Sequence, residues 1–73
     1  MKAIDVLKAA KETFENYGNE KYAISKANSF LNRCGANLED GPNQEITRGT
    51  IKNVVYAMLD ADSEKIFWSN LND

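Results

Sequence analysis

Apolar residues along the chain recur at steps of three and four, which is the spacing of one face of an α-helix rather than the alternation of a strand. The pattern predicts a first helix from about Ala3 to Tyr17, with Gly18 as a left-handed stop. It predicts a second helix from about Glu20 to Cys34, with Asn19 as its N-cap. The apolar positions expected to face the interior are Ile4, Val6, Leu7, Ala10, Phe14 and Tyr17 in the first helix, and Ala23, Ala27, Phe30, Leu31 and Cys34 in the second.

The C-terminal half continues the same spacing. A third helix is predicted from Thr47 or Arg48 to Leu59, and a short fourth helix from about Ser63 to Leu71, capped by Ser63 or Asp62. The β-branched pair at 54–55 would suit a strand, but the helical spacing outweighs that propensity. Across both halves, the residues predicted to form the core are Phe30, Leu31, Ile51, Val55 and Leu59.

Residues 35–46 form a long connection that cannot be helical throughout, because Gly41 and Pro42 interrupt it. We expect Leu38 to anchor it to the domain. Loops of this length are often functional, although a solvated connection is the simpler interpretation. The whole chain, 1–73, is therefore predicted to be a single all-α domain. It would be a compact three-helix domain with a short fourth C-terminal helix, in which helices two and three resemble a helix-turn-helix joined by a long loop.

The composition removes most enzymatic chemistry. The 73 residues contain no histidine and one cysteine, so the commonest general base, an internal disulfide and a zinc site of cysteine and histidine are excluded. The acidic stretch 60–64 lacks the glycine and the final glutamate of a calcium loop. We find no phosphate-binding glycine loop and no nucleophile elbow. We expect a non-enzyme without metal, cofactor or small-molecule substrate, and we interpret Cys34 as a buried small residue rather than a reactive thiol.

The charge and hydropathy of the chain limit the partners and the cellular location that we expect for it. Its formal net charge is −2, with bases in excess over 1–33 and acids in excess over 34–73. An acidic balance disfavours strong nonspecific DNA binding, because that affinity comes from neutralising phosphates. No apolar run approaches the roughly 20 residues of a membrane helix, and the N-terminus does not resemble a signal peptide. We expect a cytoplasmic protein with no membrane partner, in the host cell cytoplasm if a phage encodes it.

Two groups of residues are candidates for partner binding. Arg48, Lys52 and Tyr56 recur every four residues, which places them on one stripe of the third helix. No acidic residue occurs in 21–38 or in 46–59, so these helices could present a basic face. The adjacent Phe67 and Trp68 lie about 100° apart on a helix, so one can enter the core while the other anchors an interface. The simpler alternatives are a solvated stripe and two aromatic residues that merely close the core.

The stretch 22–59 resembles a helix-turn-helix in its apolar pattern, which implies a DNA-binding alternative with the third helix in the major groove. It departs from that motif in the connection, which is about twelve residues here and about three to four in the motif. The acids of the connection (Glu39, Asp40 and Glu45) would also lie close to the phosphates of a bound duplex. Protein binding is therefore the preferred expectation, and a DNA-binding repressor is the alternative.

In its size and character, as a small helical chain without histidine, the protein is similar to the short regulators encoded by lytic phages, such as phages of Xanthomonas, that bind the host RNA polymerase. The resemblance carries no signature motif and no residue roles. It implies a non-enzymatic regulator that inhibits transcription initiation or termination, including antitermination, through protein–protein contacts. Another phage inhibitor, such as an anti-restriction or anti-CRISPR protein, is a further alternative.

Overall fold

The computed structural model describes residues 1–71, and within them the chain forms four α-helices and two short 3-10 turns. Across this part of the chain no strand is assigned, and a single isolated bridge pairs Lys2 with Glu45. The all-α fold predicted from the apolar spacing is confirmed. The helices are α1 (Ala3–Phe14), α2 (Glu20–Arg33), α3 (Arg48–Met58) and α4 (Ala61–Asn70), and the turns are Glu15–Tyr17 and Leu38–Asp40.

The residues that begin and end α1 and α2 agree only in part with the prediction. Asn19 caps α2 as predicted, because its side-chain oxygen accepts a hydrogen bond from the Tyr22 backbone N–H at 2.8 Å. The prediction for Gly18 is wrong, since its φ of 173° is extended and not left-handed. The first helix instead passes into the 3-10 turn before it ends. Gly35, with a φ of 79°, does occupy the left-handed region just after α2.

The buried face of α1 agrees with the prediction at Val6, Ala10 and Phe14, and its other members are small residues that were not predicted. Ile4 and Leu7 are only half-buried and the Tyr17 side chain is exposed. The reason is that α1 packs most closely against α2 and then against α4, and small side chains let helix backbones approach closely. The residues of α1 that are buried are Ala3, Val6, Ala9, Ala10, Thr13 and Phe14.

The core lies where side chains of all four helices meet. Its predicted members are confirmed: each is buried, from the fully enclosed Phe30 to Leu59 at the rim. The rings of Phe30 and Phe67 lie 5.1 Å apart between centroids and join α2 to α4. The buried Thr13 hydroxyl donates to the Ala9 carbonyl and accepts from the Asn70 amide, at 2.8 and 3.2 Å, and so joins α4 to α1.

The connection between α2 and α3 is held in place by the N-terminal segment. Backbone hydrogen bonds link the two segments: Ile46 N–H to Met1 O at 2.7 Å, Ala3 N–H to Gln44 O at 2.8 Å, and Ile4 N–H to Pro42 O at 3.0 Å. Leu38 was predicted to be the anchor but is exposed, because the 3-10 turn places it at the surface. Ala36 and Ile46 are the buried residues of the connection. The start of α3 is therefore fixed relative to the start of α1.

The cap of α4 also differs from the prediction. Asp60 is the N-cap, with its side-chain oxygen 2.8 Å from the Ser63 backbone N–H. Leu59 is extended and buried, so the chain leaves the core there and Asp60 is the first residue that can turn into the helix. Ser63 lies inside the helix and is buried. No helix within residues 1–71 combines the length and the apolar character needed to cross a membrane.

Candidate protein-binding surface

The predicted stripe lies on the surface of α3. Thr47 caps this helix by accepting a hydrogen bond from the Thr50 backbone N–H at 3.2 Å, which makes Arg48 its first residue. Arg48, Lys52 and Tyr56 are all exposed, and Tyr56 is 88% exposed. A tyrosine ring is largely apolar, and leaving almost all of it in water forgoes the stabilisation that burial would give. The position of Tyr56 therefore does not contribute to the core.

Trp68 joins this stripe from α4. The guanidinium carbon of Arg48 lies 4.9 Å from the centroid of the Trp68 ring, a distance typical of a cation–π contact. The contact brings together two groups of candidate residues that the sequence placed on separate helices. We refer to Arg48, Lys52, Tyr56 and Trp68 together as the Arg48–Trp68 patch.

Phe67 does not belong to the patch, although it was predicted as a binding residue. Its side chain is fully buried, so it cannot contact a partner while the domain is folded. It instead supports Trp68, because the two rings meet edge to face with centroids 5.3 Å apart and planes at 73°. Trp68 is half-buried and packs partly on the core. One aromatic ring of the pair thus enters the core and the other lies at the surface.

Arg48 lies at the N-terminal end of α3, where the helix dipole is unfavourable for a cation. A cation at a helix N-terminus opposes the helix dipole, at a cost of about 0.3–1 kcal/mol for an exposed group, and the first turn of α3 contains no acid. The contact with Trp68 contributes about 0.5–1 kcal/mol in the other direction. The stacking on Trp68 therefore acts against the unfavourable dipole interaction.

The thiol of Cys34, the single cysteine of the chain, is the next group to consider. Cys34 is half-buried, and desolvation raises the pKa of its thiol to about 11. The thiol therefore stays protonated at pH 7, where a nucleophilic cysteine would need its thiolate. Within residues 1–71 no group of three or more acidic or cysteine side chains is arranged to hold a metal ion.

The arrangement of α2 and α3 differs from that of a DNA-reading pair. Residues 34–47 separate the two helices, and α2 packs far more closely on α1 than on α3. A recognition helix contacts base edges with its N-terminal residues. Here that end follows Glu45, whose exposed carboxylate binds the N-terminal ammonium at 2.7 Å. Because the ammonium balances this carboxylate, the ion pair adds no net positive charge that could attract the phosphates of a duplex.

A second polar surface was not predicted from the sequence. Tyr22, Lys26 and Arg33 lie along one side of α2 and face a cleft that Tyr17 and Asp60 also line. The spacing of four and seven residues, in a segment without acids after Glu20, was the signal that could have indicated it.

Comparison of the chain with known protein families, curated proteins and solved structures found no match. The fold and the surface therefore define the molecule only as a small all-α domain with an exposed cation–aromatic patch.

Proposed function

We propose that the protein is a non-enzymatic regulator that binds another protein through the Arg48–Trp68 patch, and that its partner is a bacterial RNA polymerase. The carrying observation is the stacking of Arg48 on Trp68 at 4.9 Å, beside the exposed Tyr56. The choice of polymerase rests on the resemblance in size and character to small phage regulators of transcription.

The residue types of the patch favour a protein partner. Tryptophan, tyrosine and arginine are the residues most enriched among those that dominate binding energy in protein interfaces, and the patch holds one of each. Trp68 is already held by Phe67 and Arg48. A side chain that is ordered before binding loses less conformational freedom in the complex, so this anchor costs less than a mobile one.

The mechanism would be occupation of a polymerase surface. The patch presents cations around an aromatic ring, which fits a partner site where carboxylates surround an apolar depression. A regulator bound there needs no chemical step, because it blocks or alters the contacts that polymerase uses to start or stop transcription. The effect would be inhibition of initiation or of termination.

DNA binding is the second candidate, supported by Arg48 and Lys52 at the exposed start of an acid-free helix. The long connection between α2 and α3 disfavours it. A DNA-binding repressor would bind duplex DNA through these two cations, and a polymerase-binding regulator would not.

Immobilised protein incubated with purified bacterial RNA polymerase, before and after nuclease treatment, tests the proposal. We expect polymerase to be retained equally in both cases. A parallel titration with duplex DNA at low and moderate salt should show only weak binding. Retention that disappears with nuclease, or duplex binding tighter than about micromolar that Arg48→Ala and Lys52→Ala abolish together, would favour the repressor.

A further inference from the structure

A cleft of about 450 Å³ lies between the end of α1, the side of α2 and the C-terminal end of α3. None of the patch residues lines it. Small-molecule sites typically enclose roughly 300–1,000 Å³, so the cleft is large enough for one small ligand. Its walls include Tyr17, Tyr22, Lys26, Arg33, Met58 and Asp60.

The charge of this cleft favours an anion. Among residues 1–71, neither Lys26 nor Arg33 takes part in the ion pairs, which are formed by the N-terminus with Glu45 and by Lys11 with Glu20. Asp60 is the carboxylate in the described lining, and its side-chain oxygen accepts the hydrogen bond from the Ser63 backbone N–H that caps α4. The described lining therefore holds two cations and one carboxylate, and neither cation is ion-paired with that carboxylate.

The tyrosine rings of the cleft indicate a second property of its ligand. The side chains of Tyr17 and Tyr22 are 46% and 40% exposed. The Lys26 ammonium lies 5.8 Å from the centroid of the Tyr22 ring, so a cation and an aromatic ring are adjacent. A ligand that combines a flat ring with an anionic group would use both features at once. Proteins that bind single-stranded nucleic acid combine stacking rings and cations in this way.

We propose that this basic–aromatic cleft, formed by Tyr17, Tyr22, Lys26 and Arg33, binds a nucleotide, with the base against the tyrosine rings and the phosphate at the two cations. The nucleotide can be free or part of a single strand. Duplex DNA does not fit, because its bases are stacked and a concave cleft cannot enter a groove. An acidic peptide would satisfy the cations but leave the rings without a flat partner.

The test uses two probes, uridine monophosphate and a short fluorescein-labelled oligouridylate, titrated into the full chain at several salt concentrations. We expect saturable binding, with backbone amide chemical shifts changing at Tyr22, Lys26 and Arg33. Lys26→Gln and Arg33→Gln should each lower the slope of log K against log salt for the oligouridylate by about 0.7. Tyr22→Leu should weaken binding about tenfold or more, since stacking on that ring is lost.

Lys8→Gln is the matched control, because it removes the same charge from an exposed position on α1 that belongs to neither the cleft nor the Arg48–Trp68 patch. It should leave affinity and slope unchanged. Equal affinity for the two probes would identify a free nucleotide as the ligand, and much tighter binding of the oligouridylate would identify a strand. Thermal melting of each variant separates loss of binding from loss of fold.

Three results would overturn the nucleotide site: no saturable binding of either probe, equal weakening by Lys26→Gln and Lys8→Gln, or displacement of the oligouridylate by oligoglutamate at matching concentrations. The last would identify the cleft as a site for acidic peptides. None of these results bears on polymerase binding, which uses different residues, so the two proposals can fail separately.

Discussion

The α1–α2 pair and α3 contribute to the same core with side chains of different size. Alanines buried on both α1 and α2 let these helices approach closely. By contrast, α3 makes few contacts with α2 and reaches the core through larger side chains, among them Ile51 and Val55. Residues on its outer sides remain exposed. Both candidate surfaces border α3: the Arg48–Trp68 patch begins on it, and the basic–aromatic cleft lies against its end.

The largest effect on stability is expected at Phe67, whose ring packs against Phe30 and joins α4 to α2. Phe67 is fully buried, contacts Phe30 and supports Trp68, so Phe67→Ala should lower the free energy of unfolding by about 3–5 kcal/mol. Chemical denaturation followed by far-UV circular dichroism measures it. Trp68→Ala is the control and should cost less, because Trp68 is only half-buried. A loss below about 1 kcal/mol for Phe67→Ala would show that α4 does not hold the core together.

The close contact of α1 and α2 should tolerate added volume poorly. Ala27→Leu places a larger side chain where backbones are close, and should cost about 1–3 kcal/mol. Val54→Leu adds less volume on α3, at a position that is 7% exposed and has room to adjust, so it should cost less. Urea denaturation of the two variants gives both values. The contrast between the two regions would be wrong if Val54→Leu proved the more destabilising.

Removing a cap tests how independently α3 is held. Thr47→Ala removes the acceptor for the Thr50 N–H, and should cost about 1 kcal/mol. Asn19→Ala is the matched change on α2 and should cost a similar amount. Amide hydrogen exchange distinguishes the two, because only Thr47→Ala should speed exchange at the start of α3, where Arg48 lies. Faster exchange there in both variants would mean that the two helices fray together.

The smallest effect on stability is expected from the charge of Asp60, the N-cap of α4. The hydrogen bond from the Ser63 backbone N–H lowers the pKa of Asp60 below its ordinary value of 3.8. A lowered folded-state pKa gives stability that is present above 3.8 and is lost as pH falls through the folded-state value. Asp60→Asn keeps an acceptor oxygen but removes the charge. Wild type should therefore be more stable than this variant at neutral pH and equal to it in strong acid; a difference independent of pH would exclude the charge as the cause.

The apolar spacing of the sequence was enough to predict the helices and the buried Phe30, Leu31 and Ile51, because burial of a helix face depends on periodicity. In α1 it predicted the buried Val6, Ala10 and Phe14 but not the full face. Ile4 and Leu7 are more apolar than Ala3 and Ala9, yet these alanines are the more deeply buried, which suits a helix that packs against two neighbours. Side-chain size as well as apolar character determines which residues of a helix become buried. The sequence of one helix does not show how closely a neighbouring helix will pack against it.

The sequence indicated the four residues of the candidate patch, wrongly added Phe67, and did not indicate the contact between α3 and α4. The spacing of Arg48, Lys52 and Tyr56 placed them on one stripe, and helical geometry separated Phe67 from Trp68. The contact of Arg48 with Trp68 depends on how α3 and α4 pack, which local patterns do not encode. The same holds for the cap of α4, where Asp60, Asp62 and Ser63 are all chemically suitable and the burial of Leu59 decides among them.

The affinity of purified bacterial RNA polymerase for wild type, Arg48→Ala and Lys21→Ala tests the central proposal most directly. Lys21 is an exposed cation on α2 that belongs to neither the patch nor the cleft lining, so its loss changes the net charge equally. Isothermal titration should show Arg48→Ala binding more weakly by about 1–3 kcal/mol, and Lys21→Ala binding like wild type. Absence of wild-type binding, or equal affinities for Arg48→Ala and Lys21→Ala, would contradict a polymerase-binding role for the Arg48–Trp68 patch.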